Sequence, residues 1–82
     1  MNVDVGKIIF EVPGVHPTDA REAISKHLQG NWGDATPNEK FNNGQNVWRR
    51  KDAVISRHVD RNGVKFVIMT EFACRATTVK LQ

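Results

Sequence analysis

The tetrapeptide Thr36-Pro37-Asn38-Glu39, near the middle of the chain, constrains the fold more than any other feature of the sequence. It has the form of a capping box, with proline at the first helical position, where its missing N–H is not needed. A helix is therefore predicted to begin at Pro37. The segment Asn42-Asn43-Gly44 is a poor helix interior, with a cost of about 1 kcal/mol at the glycine alone. We expect this helix to break near Gly44.

Two β-rich runs, residues 53–59 and 64–70, flank the tetrapeptide Asp60-Arg61-Asn62-Gly63. The Asn-Gly pair readily supplies the positive φ of a tight hairpin turn, so these runs predict a β-hairpin. A first strand is predicted over residues 7–12, where Pro13-Gly14 ends it. A last strand is predicted over residues 75–81.

A further helix is predicted from Thr18, as its N-cap, to Leu28, with Gly30 closing its C-terminus. Its apolar stripe follows helical spacing and comprises Ala20, Ala23, Ile24, His27 and Leu28. The resulting order β-α-α-β-β-β predicts an α+β fold, in which a small, mostly antiparallel sheet packs against two helices. A length of 82 residues leaves room for one domain, residues 1–82.

Composition and cysteine content bear on the compartment. Hydrophobic residues make up 39% and charged residues 26% of the chain, which is the balance of a globular protein. No apolar run approaches the roughly 20 residues that span a bilayer, and residues 1–6 lack the layout of a signal peptide, so no membrane partner is expected. A single cysteine, Cys74, favours a reducing compartment. We expect a cytoplasmic protein.

Charge is distributed unevenly along the chain. Residues 1–44 hold four basic and six acidic residues, for a net charge of −2, whereas residues 45–82 hold eight basic and three acidic residues, for +5. The second half is thus predicted to attract an anionic partner such as nucleic acid. The candidate anion-binding residues are Arg49, Arg50, Lys51, Arg57, Arg61 and Lys65. The alternative is that these charges are only solvated surface.

His27 and Trp32 each allow two interpretations. His27 is a general base or ligand contact, or else a buried histidine that caps the turn at Gly30–Gly33 by a hydrogen bond. Trp32 is a platform on which a base or a partner side chain stacks, or else part of the core.

Signals for other chemistry are weaker. Ser56 and His58 share a strand face, which resembles a nucleophile and its base, but no third orienting group can be named. His16, His27, His58 and Cys74 are scattered without the spacing of metal ligands. Glycine patterns of phosphate-binding and dinucleotide-binding loops are absent as well. We predict neither a metal nor a cofactor.

Several segments together resemble a known family. They are residues 27–34 (His-Leu-Gln-Gly-Asn-Trp-Gly-Asp), Asn43, Ser56, residues 68–71 (Ile-Met-Thr-Glu) and residues 77–79 (Thr-Thr-Val). This set is similar to the short "plasmid-related" proteins of bacterial plasmids, phages and other mobile elements. Their pattern runs His-x-x-Gly-Asp-Trp-Gly, then Asn, Ser-Ala-Tyr, Ile-Thr-Glu-Ala-Asp-Arg and Thr-Thr. The family has no established activity to carry over, and the resemblance implies a mobile-element setting.

This chain departs from the family pattern at several positions. Asn31 stands where the pattern has an acid, and His58 stands where it has tyrosine. Arg75 is displaced by one position, which on a strand would turn its side chain to the other face. If the family residues form one site, the resemblance implies that its members are His27, Trp32, Asn43, Ser56, Glu71 and Thr77. The alternative is a polar and aromatic girdle that fixes the fold.

Three functional hypotheses follow. The first is a non-catalytic binding module that contacts an anionic partner, such as nucleic acid, through its basic C-terminal half. The second is a phage- or plasmid-borne accessory protein that docks on a host protein complex, which predicts an exposed apolar patch near Trp48 or Trp32. The third is a small hydrolase or transferase built on His27 and Glu71. The protein is expected to be a monomer, or a homodimer through a sheet edge.

Overall fold

The computed structural model describes residues 7–82, and the sequence-based prediction about a signal peptide in residues 1–6 lies outside this range. The elements occur in the predicted order, which confirms the α+β fold. They are β1 (Lys7–Glu11), α1 (Pro17–Leu28), α2 (Pro37–Arg49), β2 (Ala53–Val59), β3 (Lys65–Glu71) and β4 (Ala76–Leu81). Neither helix in the described range combines the length and the apolar character needed to cross a membrane.

The four strands form one mixed sheet in the order β1-β4-β3-β2. The predicted hairpin is present as the antiparallel pair β2 and β3, whose closing pair is Val59 and Lys65. Asp60 organises the turn, because its Oδ1 accepts hydrogen bonds from the N–H groups of Asn62 and Val64, each at 2.8 Å. β3 and β4 are also antiparallel, whereas β1 lies parallel to β4.

Helix α2 begins as predicted. Thr36 Oγ1 accepts a hydrogen bond from the Glu39 N–H at 3.1 Å, and Glu39 Oε1 accepts one from the Thr36 N–H at 2.9 Å. The expected break near Gly44 is wrong, because α2 continues to Arg49. Hydrogen bonds from α2 side chains on both sides of the glycine to strand β2 offset the poor local helix propensity.

Helix α1 begins slightly earlier than its sequence pattern predicts. His16, rather than Thr18, is the N-cap, and its ring accepts a hydrogen bond from the Thr18 N–H at 3.3 Å. Pro17 occupies the first helical position, where proline is well tolerated. The end of α1 at Leu28 agrees with the prediction.

Helix α1 covers one face of the sheet, and the main core lies between them. Its buried residues are Val15, Ala20, Ala23, Ile24, Phe66, Ile68 and Val79. A smaller cluster beside it contains Trp32, Ala35 and Val54. Trp32 is 9% exposed, so the prediction that it belongs to the core is confirmed.

The outer edge of β2 is closed by side-chain and backbone groups. Asn43 Nδ2 donates to the Ile55 carbonyl at 2.6 Å, and the Ile55 N–H donates to Asn43 Oδ1 at 3.0 Å. Asn46 donates to the Ala53 carbonyl at 2.7 Å. Further along the strand, the Arg57 N–H donates to the Trp32 carbonyl at 3.1 Å. The outward-facing backbone groups of Ile55, the Ala53 carbonyl and the Arg57 N–H are thereby paired within the chain.

Candidate functional site

A chain of buried polar side chains crosses the interface between α1 and the sheet. His27 Nδ1 lies 2.7 Å from Ser56 Oγ, and His27 Nε2 lies 2.8 Å from Thr70 Oγ1. Thr70 Oγ1 lies a further 2.8 Å from Thr77 Oγ1. All four residues are fully buried. We call His27, Ser56, Thr70 and Thr77 the buried polar chain.

Strand alternation and strand register bring the three hydroxyl groups together. Side chains of directly paired residues project to the same face of a sheet. Thr70 pairs with Thr77 of β4 and with Val54 of β2, and Ser56 follows Val54 by two positions. All three hydroxyls therefore face α1. His27 reaches them because it lies on the buried stripe of that helix.

His58 extends the chain toward the surface. Its Nε2 lies 2.8 Å from Ser56 Oγ, so the single hydroxyl of Ser56 lies between two imidazoles. His58 is half-buried and lines a cleft together with Asp34 and Arg57. On the other side, the Trp32 ring meets His27 edge-on, with centroids 5.4 Å apart.

Burial determines the charge state of His27. Burial is the larger cause and the neighbouring His58 the smaller one, and together they lower the pKa of His27 from an ordinary value of 6.5 to about 4. Burial also lowers the pKa of His58. A neutral imidazole donates from one ring nitrogen and accepts at the other. Because Ser56 and Thr70 carry hydroxyls that can do either, both tautomers of His27 satisfy both contacts.

The arrangement indicates a structural role for the buried polar chain. The Ser56 hydroxyl is enclosed, so it cannot meet a substrate in this conformation. Within the described range, every buried side-chain nitrogen and oxygen has a hydrogen-bond partner. A fully satisfied polar network in a core favours one packing arrangement over others. These contacts correspond to the girdle alternative.

The interpretation of His27 as a buried histidine is confirmed, but the predicted hydrogen bond from its ring to the turn at Gly30–Gly33 is wrong, since both ring nitrogens contact side chains on the sheet. Thr70 completes the chain, and sequence reasoning had not included it. A signal was available, because strand alternation places Thr70 and Glu71 on opposite faces of β3.

Glu71 and Asn43 lie outside the buried polar chain. Glu71 is exposed and pairs with Ala53 and Ala76, so it projects from the face that α1 does not cover. His27 and Glu71 are thus on opposite sides of the sheet, and the prediction of a joint catalytic pair is wrong. Asn43 is buried at the outer edge of β2, where it closes that edge.

Two of the six candidate anion-binding residues are held by carboxylates. Arg57 forms a two-point contact with Glu39, with Nη2 at 2.8 Å and Nε at 3.0 Å from the carboxylate oxygens. Arg61 contacts Asp19 through Nε and Nη2, each at 3.0 Å. These ion pairs lower the pKa of both carboxyl groups to about 2. Both arginines therefore have much of their charge offset by a neighbouring carboxylate.

Arg49, Arg50 and Lys51 lie at the opposite end of β2 from Arg61 and Lys65, because they immediately precede that strand. All three are exposed, and none appears in an ion pair within residues 7–82. A continuous row of paired residues crosses the sheet at the same end, one from each strand in the order β1-β4-β3-β2: Lys7, Ala76, Glu71 and Ala53. Lys7 and Arg75 therefore belong to this end as well.

Trp48 adds an aromatic surface at this end, because it precedes Arg49 and is 82% exposed. We call this surface the basic end; it comprises Lys7, Trp48, Arg49, Arg50, Lys51 and Arg75. The carboxylates in the same region are Asp52 and Glu71, so positive charge predominates. Sequence reasoning did not include Lys7 and Arg75, because their proximity to the triplet depends on strand order.

Comparisons with protein-family models, with curated proteins and with solved structures found no match. The resemblance to the plasmid-related proteins therefore stays a prediction from the motif residues. In the described part of the chain, no three His, Cys, Asp or Glu side chains gather in a way that could hold a metal ion.

Proposed function

We propose that this protein is a non-catalytic binding module that contacts nucleic acid through its basic end. The observation that carries the proposal is the triplet Arg49-Arg50-Lys51, which is exposed and, within residues 7–82, takes part in no ion pair. Trp48 lies next to it and is 82% exposed. A mobile-element setting and a cytoplasmic location belong to the same proposal, and the single exposed cysteine, Cys74, is compatible with the latter.

The chemistry of the basic end suits a single-stranded ligand. Lysine and arginine neutralise phosphates and release their counterions, which supplies affinity without sequence preference. An exposed indole offers a face on which an unpaired base stacks, and such stacking contributes about 1–3 kcal/mol per base. Of the six residues that the sequence offers as anion-binding candidates, Arg57 and Arg61 are already held in ion pairs by Glu39 and Asp19. The proposed contact surface therefore does not include these two arginines.

The test is a salt titration of binding to short single-stranded DNA and RNA, with duplex DNA for comparison. If three to five cations contact phosphates, the plot of log K against log salt should have a slope of roughly −2 to −4 for single strands. Replacing Arg49 and Lys51 together by alanine should weaken binding and make the slope less steep by roughly one to two. The matched control replaces Arg61 and Lys65, at the other end of β2, and should leave the slope unchanged.

Trp48 separates stacking from charge. Trp48→Ala should weaken single-strand binding roughly tenfold or more while the salt slope stays as in the unmodified protein. No binding at low ionic strength, or a slope that the Arg49 and Lys51 replacements leave unaltered, would contradict the proposal.

An exposed apolar stripe supports a second candidate, docking on a host protein. Phe41 is 67% exposed and Trp48 82% exposed, and their spacing of seven places them on one side of α2. Solvent-exposed aromatics at such spacing are typical anchors of protein interfaces. A pull-down from host lysate should then recover a partner that is lost with Phe41→Ser and retained with Arg49→Ala. Recovery of no partner would count against this candidate.

A further inference from the structure

The two edges of the sheet differ. Asn43, Asn46 and the backbone of Trp32 close the outer edge of β2. At the other edge, no element within residues 7–82 pairs with the outer side of β1. Unpaired strand edges are templates for another strand, and proteins usually cover or interrupt them.

The backbone of β1 presents alternate residues to that outer edge. The Lys7 N–H donates to the Arg75 carbonyl at 2.9 Å, so Lys7 directs its backbone groups toward β4. In a parallel pair, alternate residues direct their backbone groups to alternate sides. Ile9 and Glu11 therefore face β4, and Ile8 and Phe10 direct their N–H and C=O groups away from the sheet.

The side chains of Ile8 and Phe10 are exposed even though they lie on the helix-covered face. They pair with Thr77 and Val79 of β4, which are fully buried. Ile8 is nevertheless 39% and Phe10 54% exposed. Helix α1 leaves a groove of about 660 Å³ above this edge, lined by Phe10, Val12, Pro13, Val15, Pro17, Ala20 and Arg21.

We propose that a second copy of this chain occupies the edge, with its β1 antiparallel to the first β1 about a two-fold axis through Ile9. Ile8 of each copy then lies opposite Phe10 of the other. Each of these two pairs exchanges two backbone hydrogen bonds. The bonds are made by the N–H and C=O groups of Ile8 and Phe10, which point away from the sheet. The two four-stranded sheets become one sheet of eight strands, with the helices of both copies on the same face.

The sequence of β1, Lys-Ile-Ile-Phe-Glu, is complementary to itself in this register. The two-fold axis places Lys7 opposite Glu11 of the second copy, and the reverse pair forms at the other end. Opposite charges directly across an antiparallel pair are favourable, and like charges are unfavourable. A symmetric dimer needs a surface that matches itself, and this strand meets that requirement in charge and in apolar content.

The first test measures the association state by sedimentation equilibrium over a wide range of protein concentration. The unmodified protein should form dimers. Phe10→Lys should weaken dimerisation at least about tenfold, because it places a charge against Ile8 of the second copy. The matched control is Val59→Lys, which changes a residue 50% exposed on β2, at the opposite edge, and should leave dimerisation unaltered.

A charge exchange tests the register. Lys7→Glu alone and Glu11→Lys alone each place like charges opposite one another, so each variant should dimerise about tenfold more weakly. In an equimolar mixture, the two variants should form a heterodimer in which both pairs are again of opposite charge. Recovery in the mixture would also show that neither variant is merely misfolded.

A protein that stays monomeric at every concentration would overturn the proposal. So would a dimer that Phe10→Lys leaves intact, or variants whose mixture shows no recovery. A monomer whose β1 resonances respond to an added extended peptide would assign the edge to a different partner. Lys7 belongs both to the proposed interface and to the basic end, whereas Phe10 belongs only to the interface, so Phe10→Lys tests dimerisation separately from nucleic-acid binding.

Discussion

The ring of His27 and the hydroxyl of Ser56 lie 2.7 Å apart in fully buried surroundings and join α1 to β2 across 29 positions of sequence. The opposite ring nitrogen contacts Thr70, 43 positions away. One side chain thereby ties a helix to two strands. In this interior, loss of the imidazole leaves two buried hydroxyls with one hydrogen-bond partner fewer each, and water cannot easily replace the lost contacts.

We therefore expect His27→Ala to lower the free energy of unfolding by about 3 kcal/mol. The substitution leaves a cavity, and it removes one of the two hydrogen-bond partners of Ser56 and one of the two partners of Thr70. Urea denaturation followed by circular dichroism measures the change. Ser25→Ala, at an exposed position on the same helix, is the control and should stay within about 0.5 kcal/mol of the unmodified protein.

Stability should depend on pH through the same residue. The pKa of His27 is lowered to about 4 in the folded protein, whereas 6.5 is its ordinary value. Between these values the unfolded chain binds a proton that the folded chain does not. The stabilisation is fully present above pH 6.5 and is lost as the pH falls to about 4, by about 3 kcal/mol in total.

Unfolding free energies measured from about pH 8 to about pH 4 test this dependence. The lowered pKa of His58 adds a loss of the same sign. Asp19 and Glu39, with pKa values of about 2, contribute below their ordinary values of 3.8 and 4.5, so their contribution is separable from that of the histidines between pH 6.5 and 4.5. In His27→Gln the slope between pH 6.5 and 4 should be clearly reduced, and an unchanged slope would contradict the assignment.

Gly33 and Gly44 should respond oppositely to alanine. A Cβ on Gly33 would meet the Arg57 carbonyl oxygen and lie 2.8 Å from His58 Nδ1, and its φ of +61° is unfavourable for alanine. We expect Gly33→Ala to destabilise the protein by at least about 2 kcal/mol. Gly44 lies inside α2 with no atom near its Cβ position, so Gly44→Ala should stabilise it by about 0.5–1 kcal/mol. Thermal unfolding of the two variants distinguishes these signs.

Asn43 should contribute more to stability than its neighbour. Asn43→Ala removes two hydrogen bonds to the Ile55 backbone and leaves that part of the β2 edge unpaired. The expected loss is about 2 kcal/mol, with an increased tendency to aggregate at the exposed edge. Asn42→Ala, at an exposed position on the same helix, is the matched control. Equal effects of the two substitutions would argue against edge closure by Asn43.

The sequence by itself determined the local elements. The capping box at Thr36 and the hairpin around Asn62-Gly63 were predicted correctly, because each signal depends on atoms only a few positions apart. The fold class followed from the order of these elements. The break expected at Gly44 was wrong for the complementary reason: helix propensity is local and weak, and contacts with β2 outweigh it.

Only the tertiary structure decided which of the candidate residues meet. The parallel placement of β1 beside β4 brings Lys7 to the end of the sheet that holds Arg49–Lys51, and no local pattern encodes that strand order. Arg57 and Arg61 lie 18 and 42 positions from the carboxylates that pair with them. Contacts at such separations depend on the packing of the whole chain, since local residue preferences do not specify them.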